Sequence, residues 1–264
     1  RVDNRGNGAL TVLPTTFYAY TANDTRRDVT CATYNVNANG TIAPRQLREI
    51  VDGKYRRDWI VPNMMASTAQ YFGLNWVMIR YSDVLLMFAE AENELNNGPT
   101  AAAIDAFEKV RIRAFGGNAS LIGTTPSSYD GFFNAIVNER MLELCGEGVR
   151  KFDLIRWNLL EQRLAEVKQQ LADMVAGLPP YDNLPTTMYF TPGITTMTWD
   201  NSLYDPAPVT PPTGSTAVAW TSSTIQTTLI DVLAYGFEPG KDELLPFHTT
   251  TIDANPKIIQ NNGY

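Results

Sequence analysis

The 264 residues are 44% hydrophobic and 19% charged, which excludes a disordered chain, and no run of about 18 apolar residues offers a membrane span. With 21 Lys and Arg against 28 Asp and Glu the net charge is −7, a balance that repels phosphate backbones and argues against nucleic acid as a partner. The lone histidine, His248, and the two cysteines, Cys31 and Cys145, match no metal-ligand spacing and no C-x-x-C pattern, so most hydrolytic chemistry is disfavoured.

From residue 1 to 79, Asn-Gly and Gly-Asn steps alternate with short apolar runs, and little helical periodicity is present. This segment is expected to be loop-rich and to lead into a helical scaffold. At Arg80 the character changes. Ser82 is the expected cap of a helix in which Val84, Leu85, Phe88, Ala91 and Leu95 recur at three- and four-residue steps until Gly98. Pro99 and Thr100 open a second helix, with Ile104, Phe107, Val110 and Ala114 on its inner stripe and Gly116-Gly117 at its end. A third runs from about Tyr129 to Cys145, with Phe133, Ile136, Val137, Met141 and Leu144 inward and Gly146 at C′. Val149 to Asn158 reads as a short helix, followed by a longer one carrying Leu160, Leu164, Val167, Leu171 and Met174. Residues 80–177 therefore form a helical core of hairpins resembling tetratricopeptide units, whose period of about 34 residues the loop from Gly116 to Ser128 interrupts.

Beyond Gly177 the composition shifts again. Leu178 to Ser223 holds eight of the sixteen prolines and no Lys or Arg, and is expected to be mostly irregular and superficial. No cation falls between Lys168 and Lys241, whereas Tyr181, Tyr189, Phe190, Trp199, Tyr204 and Trp220 all do, which suits a neutral ligand or a protein partner. Residues 178–264 are read as Pro/Thr-rich loops and a C-terminal segment of the same domain.

Longer strings are more specific than periodicity. RYSDVLLMFAEAENEL from Arg80, KVRIRAFGG from Lys109, AIVNERMLELCGEGVRKFDLIRW from Ala135 and ELLPFHTTTIDANPKIIQNNGY from Glu243 occur in that order, preceded by NDTRRDVT from Asn23 and GKY from Gly53. Together they resemble the C-terminal half of the SusD/RagB family of outer-membrane nutrient-binding lipoproteins. The resemblance implies a mainly α, SusD-like fold with long loop-rich insertions and no catalytic activity or cofactor. It also implies capture of an oligosaccharide for a SusC-like TonB-dependent transporter at the cell surface of Bacteroidota, with peptide or other nutrient binding as the alternative. The family's N-terminal half, with its lipidated Cys and first helical hairpins, is not in this sequence and is expected as a separate chain or missing segment.

Single residues carry competing readings. Glu139 and Glu143 lie four apart on one helix face, with Glu147 following, which is the geometry of a general acid and base. Their other use, adopted here, is a structural ion network with Arg140, Arg150 and Arg156, whose guanidinium forks fix one helix on the next. Glu90 and Glu94 with Arg80 are read in the same way. Trp157 and Trp76 read as packed aromatics. Trp59 lies among charges and a proline, so Trp59, Tyr55 and Asn63 form a candidate sugar-stacking platform set against ordinary loop packing. Tyr18, with Phe17 and Tyr20, and Trp199, with Asp200 and Asn201, are further candidates. Asp200, Asn201, Ser202 and Asp205 lack the Gly and terminal acid of a calcium loop, so no metal is expected. His248 reads as a surface histidine, and Cys145 as a small buried hydrophobe.

Overall fold

The computed structural model describes residues 8, 10–36, 41–56, 75–191, 197–221, 225 and 227–264. Trp59 and Asn63 lie outside the described residues.

The chain opens with two short helices, α1 (Pro14–Ala19) and α2 (Arg26–Thr30). Two antiparallel pairs follow: β1 (Cys31–Ala32) with β4 (Val51–Asp52), and β2 (Tyr34–Val36) with β3 (Ile42–Pro44). The scaffold proper is α3 (Tyr81–Asn96), α4 (Ala101–Ala114), α5 (Tyr129–Glu143), α6 (Arg150–Arg156) and α7 (Leu160–Ala176). A third antiparallel pair, β5 (Thr187–Phe190) with β6 (Thr216–Ala219), precedes α8 (Thr227–Val232) and α9 (Thr249–Ala254). The protein is mainly α, with tetratricopeptide-like hairpins under long loops. No helix among the described residues is long and apolar enough to cross a membrane.

Local chemistry explains the helix limits. Thr100 and Ser128 cap α4 and α5 by accepting hydrogen bonds from the amides of Ala103 and Gly131. Gly177 ends α7 at φ +63°, a left-handed conformation that costs glycine nothing. Ser82 is not the cap of α3. That helix already begins at Tyr81, and the Ser82 hydroxyl instead accepts from Arg80 and Arg113.

Helices α3, α4 and α5 share one core of Leu86, Ala89, Ala103, Phe107, Val110, Phe132 and Ile136. On α3 the buried face is shifted from the expected stripe, of which Leu85 packs partly against this core. The buried positions are Asp83, Leu86, Ala89 and Asn93, while Val84 and Phe88 are each 43% exposed and Leu95 is 82% exposed. Both sides of α3 are apolar, so the periodicity has two solutions, and packing against α4 and α5 selects the narrower one. The face left open continues into Trp76, Val77, Met78 and Ile79. Trp76 is therefore more than half exposed and not a core residue.

The second core also departs from expectation. Phe17 and Tyr20 of the N-terminal segment are fully buried against Leu171, Met188 and Trp220. Met188 and Trp220 belong to the Pro/Thr-rich stretch, which is largely irregular but not merely superficial. Strand β5 turns Met188 and Phe190 inward as alternate residues, and Trp220 makes edge contacts with Phe17 and Trp199.

Candidate functional site

Helix α2 sits where the separate sequence motifs meet, because its adjacent arginines point in different directions. Thr25, its N-cap, donates both its amide and its hydroxyl to the Ala114 carbonyl at the end of α4. Arg26 then turns inward. It grips Asp24 at 2.7 and 2.9 Å and reaches Glu139 and Glu143 of α5, the latter at 3.0 Å. Arg80, from the start of α3, is bidentate to Glu147 at 2.7 and 2.8 Å and donates to Glu143 at 2.8 Å. Arg113 also reaches Glu143, Arg111 pairs with Glu139, and Lys54 of the GKY motif pairs with Glu147.

Glu139 is 1% and Glu143 2% exposed, so their charges depend on these partners. Burial pushes both carboxyls upward. At Glu143 the hydrogen bond from Arg80 and the charges of Arg113 and Arg26 outweigh it, and its pKa is lowered to about 2. At Glu139 burial prevails over Arg26, and the pKa is raised. Two carboxylates so heavily hydrogen-bonded lock helices together and leave little freedom for proton transfer.

The partners differ from those the sequence suggested. Arg140 pairs with Asp83 and Asp153, and Arg156 with Glu90 and Asp153. Arg150 donates to the Val137 carbonyl, and burial beside Arg163 lowers its pKa to about 10. Glu90 also accepts from Trp157, whose half-buried ring meets Phe133 edge-on, and Glu94 accepts from Tyr129. The nearer arginines on α5 and α6 are engaged by other partners, so cations distant in sequence pair with Glu139 and Glu143.

Arg27 points away from this network into a cavity of about 560 Å³. Trp199, Tyr204 and Tyr34 supply aromatic walls, and Arg27, Asp28 and Arg56 supply polar groups. Arg27 donates to Asp28 at 2.9 Å and to the Tyr204 hydroxyl at 2.6 Å, and Tyr204 donates to the Tyr20 carbonyl at 2.8 Å. Burial opposes the Arg27 charge, but these partners raise its pKa, while burial raises that of Tyr204. Arg56 donates to the Tyr34 hydroxyl at 2.9 Å and lies over its ring. The pocket thus offers fixed donors, an exposed carboxylate on Asp28 and ring surface, a set suited to orienting a polyhydroxylated ligand.

The predicted binding residues separate in space. Trp199 lines this cavity, with its ring edge-on to Trp220. Asn201 lines it too, but its amide ties β5 by accepting from Tyr189 and donating to the Thr187 carbonyl. Tyr18 is largely enclosed and its hydroxyl accepts from the Trp220 indole at 2.6 Å, while Phe17 and Tyr20 are fully buried; these three make no exposed platform. Tyr55 lies on the other side of α2, 5.2 Å from the Trp76 ring, beside a second cavity of about 400 Å³ that opens onto the ion network. Tyr34 and Arg56 also line the cavity without any marker in the sequence, because a three-residue strand and a single arginine after it carry no periodicity. His248 caps α9 through Nδ1. Among the described residues no group of three or more His, Cys, Asp or Glu is placed to hold a metal ion.

Comparison with known proteins places the chain in context. The model of the SusD family matches residues 14–264. SusD-like protein P25 of Formosa agariphila is 40% identical over 109 residues, which are 40% of this chain and 20% of that protein. SusD-like protein P2 of the same organism is 28% identical over 165 residues, 58% of this chain and 32% of that one. A SusD homolog from Bacteroides thetaiotaomicron superposes with a TM-score of 0.59 at 21% identity, over 95% of this chain and 43% of its own. The aligned regions span a third or less of the curated relatives and less than half of the solved structure.

Proposed function

We propose that this chain, which belongs to the SusD family, captures a neutral oligosaccharide at the cell surface for a SusC-like TonB-dependent transporter in the outer membrane, without catalysing a reaction. The observation that carries the reading is the cavity beside α2, where Trp199 and Tyr204 stand next to the fixed donors of Arg27 and Arg56. A sugar ring lays its C–H face on an aromatic side chain while its hydroxyls meet such polar groups. The net gain is modest, about 4 to 8 kcal/mol, or roughly millimolar to micromolar affinity, because those hydroxyls leave water to bind. Weak capture suits handover to a transporter.

Arrays of neutral polysaccharides and of oligopeptides test the reading. A glycan should bind, its affinity should fall at least about tenfold in Trp199→Ala, and it should change little between low and high salt, since screening acts on charges. Capture of peptides alone would favour the other nutrient class. An unaffected Trp199→Ala would move the platform elsewhere, and loss of binding in salt would refute a neutral ligand.

The open apolar face of α3 belongs to the same reading. Tyr81, Val84, Met87, Phe88 and Leu95 present a continuous strip of a kind that repeat scaffolds bury against a neighbouring helix pair. Helices from the portion of the family's length that lies outside the aligned regions are the proposed cover. Light scattering on the chain alone should show self-association that coexpression with such a segment removes. A stable monomer that binds no hydrophobic dye would refute the assignment.

A further inference from the structure

Both cysteines stand outside the functions described so far. Cys31 opens β1 and is fully buried in the core with Tyr20; Cys145 follows the end of α5 and is half-buried. Both are thiols in the structure.

Five contacts bring the two segments together. Cys31 is the register partner of Asp52 across the β1–β4 pair, and cross-strand partners project to the same face. On that face the Asp52 carboxylate reaches the residue after Cys145: a Cβ placed on Gly146 would lie 3.0 Å from it. The next residues clamp the same seam, with the Gly53 amide donating to the Thr30 carbonyl and the Lys54 ammonium to the Glu143 carbonyl, each at 2.7 Å. Tyr20 closes it from the core side, donating to the Leu142 carbonyl at 2.8 Å. Residues 30–31, 52–54 and 142–146 therefore form one small, dense junction with a thiol on each outer segment.

We propose that Cys31 and Cys145 are a disulfide site, joining the α2–β1 segment to the end of α5 in an oxidising environment. The oxidant is a small-molecule disulfide such as glutathione disulfide. The Cys145 thiolate, the more accessible of the two, attacks one of its sulfurs, forming a mixed disulfide and releasing one glutathione thiolate. The Cys31 thiolate attacks the Cys145 sulfur and releases the second. Two protein thiols lose two electrons and two protons, and glutathione disulfide becomes two glutathione thiols. Burial raises the pKa of both thiols, and Cys145 raises that of Cys31 further, so the exchange is slow once the core has closed.

The bridge would close a loop of about 114 residues, for which the unfolded chain loses much freedom. Only the choice of an oxidising compartment rests on the cell-surface reading; the bond itself is tested on purified protein and stands or falls independently of glycan capture. The chain is equilibrated in a glutathione redox buffer, denatured and alkylated without reductant, and its peptides are mapped by mass spectrometry. The expected result is one peptide pair joined through Cys31 and Cys145, no alkylated cysteine, and a melting temperature that dithiothreitol lowers by about 10 °C. Cys31→Ala and Cys145→Ala should be insensitive to dithiothreitol. Alkylation of both cysteines, glutathione retained on Cys145, or a bond between two copies would overturn the proposal.

Discussion

Replacement of Glu143 by alanine is expected to lower the melting temperature by about 10 °C and to leave glycan affinity nearly unchanged. The carboxylate is 2% exposed and receives Arg26, Arg80 and Arg113, which come from three separate segments of the chain. Removing one partner from a buried ion pair costs about 3–5 kcal/mol, because the remaining charges keep their desolvation and lose their counter-ion. For a protein of this size that corresponds to a fall of about 2–4 °C per kcal/mol. The pH dependence carries a second signature. The folded pKa of about 2 lies below the ordinary 4.5, so the stabilisation is complete above pH 4.5 and is lost as pH falls through 2. Its full size is about 3 kcal/mol. Glu143→Gln should flatten the acid limb of a stability-against-pH curve over that window. Glu139, whose folded pKa is raised, acts with the opposite sign: its contribution is present at low pH and declines as pH rises through the folded value. A Glu143→Ala protein that melts normally but no longer binds glycan would instead make this carboxylate part of the binding machinery.

Trp220→Ala is expected to cost about 4 kcal/mol, the loss typical of a large aromatic truncated in a packed core, and again about 10 °C in melting temperature. The indole is fully buried between Phe17 and Trp199 and donates to the Tyr18 hydroxyl. Trp220→Phe keeps most of the ring contact but leaves that hydroxyl without its donor, and should cost only about 1–2 kcal/mol. Calorimetry on the two variants separates packing from hydrogen bonding. A change below about 0.5 kcal/mol in Trp220→Ala would mean that the Pro/Thr-rich segment is a surface appendage and not a wall of the core.

The helical scaffold was legible in the sequence because its signals are local. Apolar residues at three- and four-residue steps, Thr100 before α4 and Gly177 after α7 act within one or two turns, and no distant contact is needed to interpret them. The order of motifs was equally sufficient to indicate the family. What tertiary structure alone decided were choices between locally equivalent options. Helix α3 has apolar residues on two faces, and only the position of α4 and α5 determines that Leu86 and Ala89 go inside while Val84 and Phe88 remain open. Glu139 and Glu143 had arginines close at hand in Arg140 and Arg150, yet Arg140 is taken by Asp83 and Asp153 and Arg150 by the Val137 carbonyl, so the charges are matched by Arg26, Arg80 and Arg113 from remote segments. Aromatic content marked the stretch after Gly177 as important, but burial of Trp220 and partial exposure of Trp199 depend on which ring packs against Phe17, and that contact exists only in the folded chain.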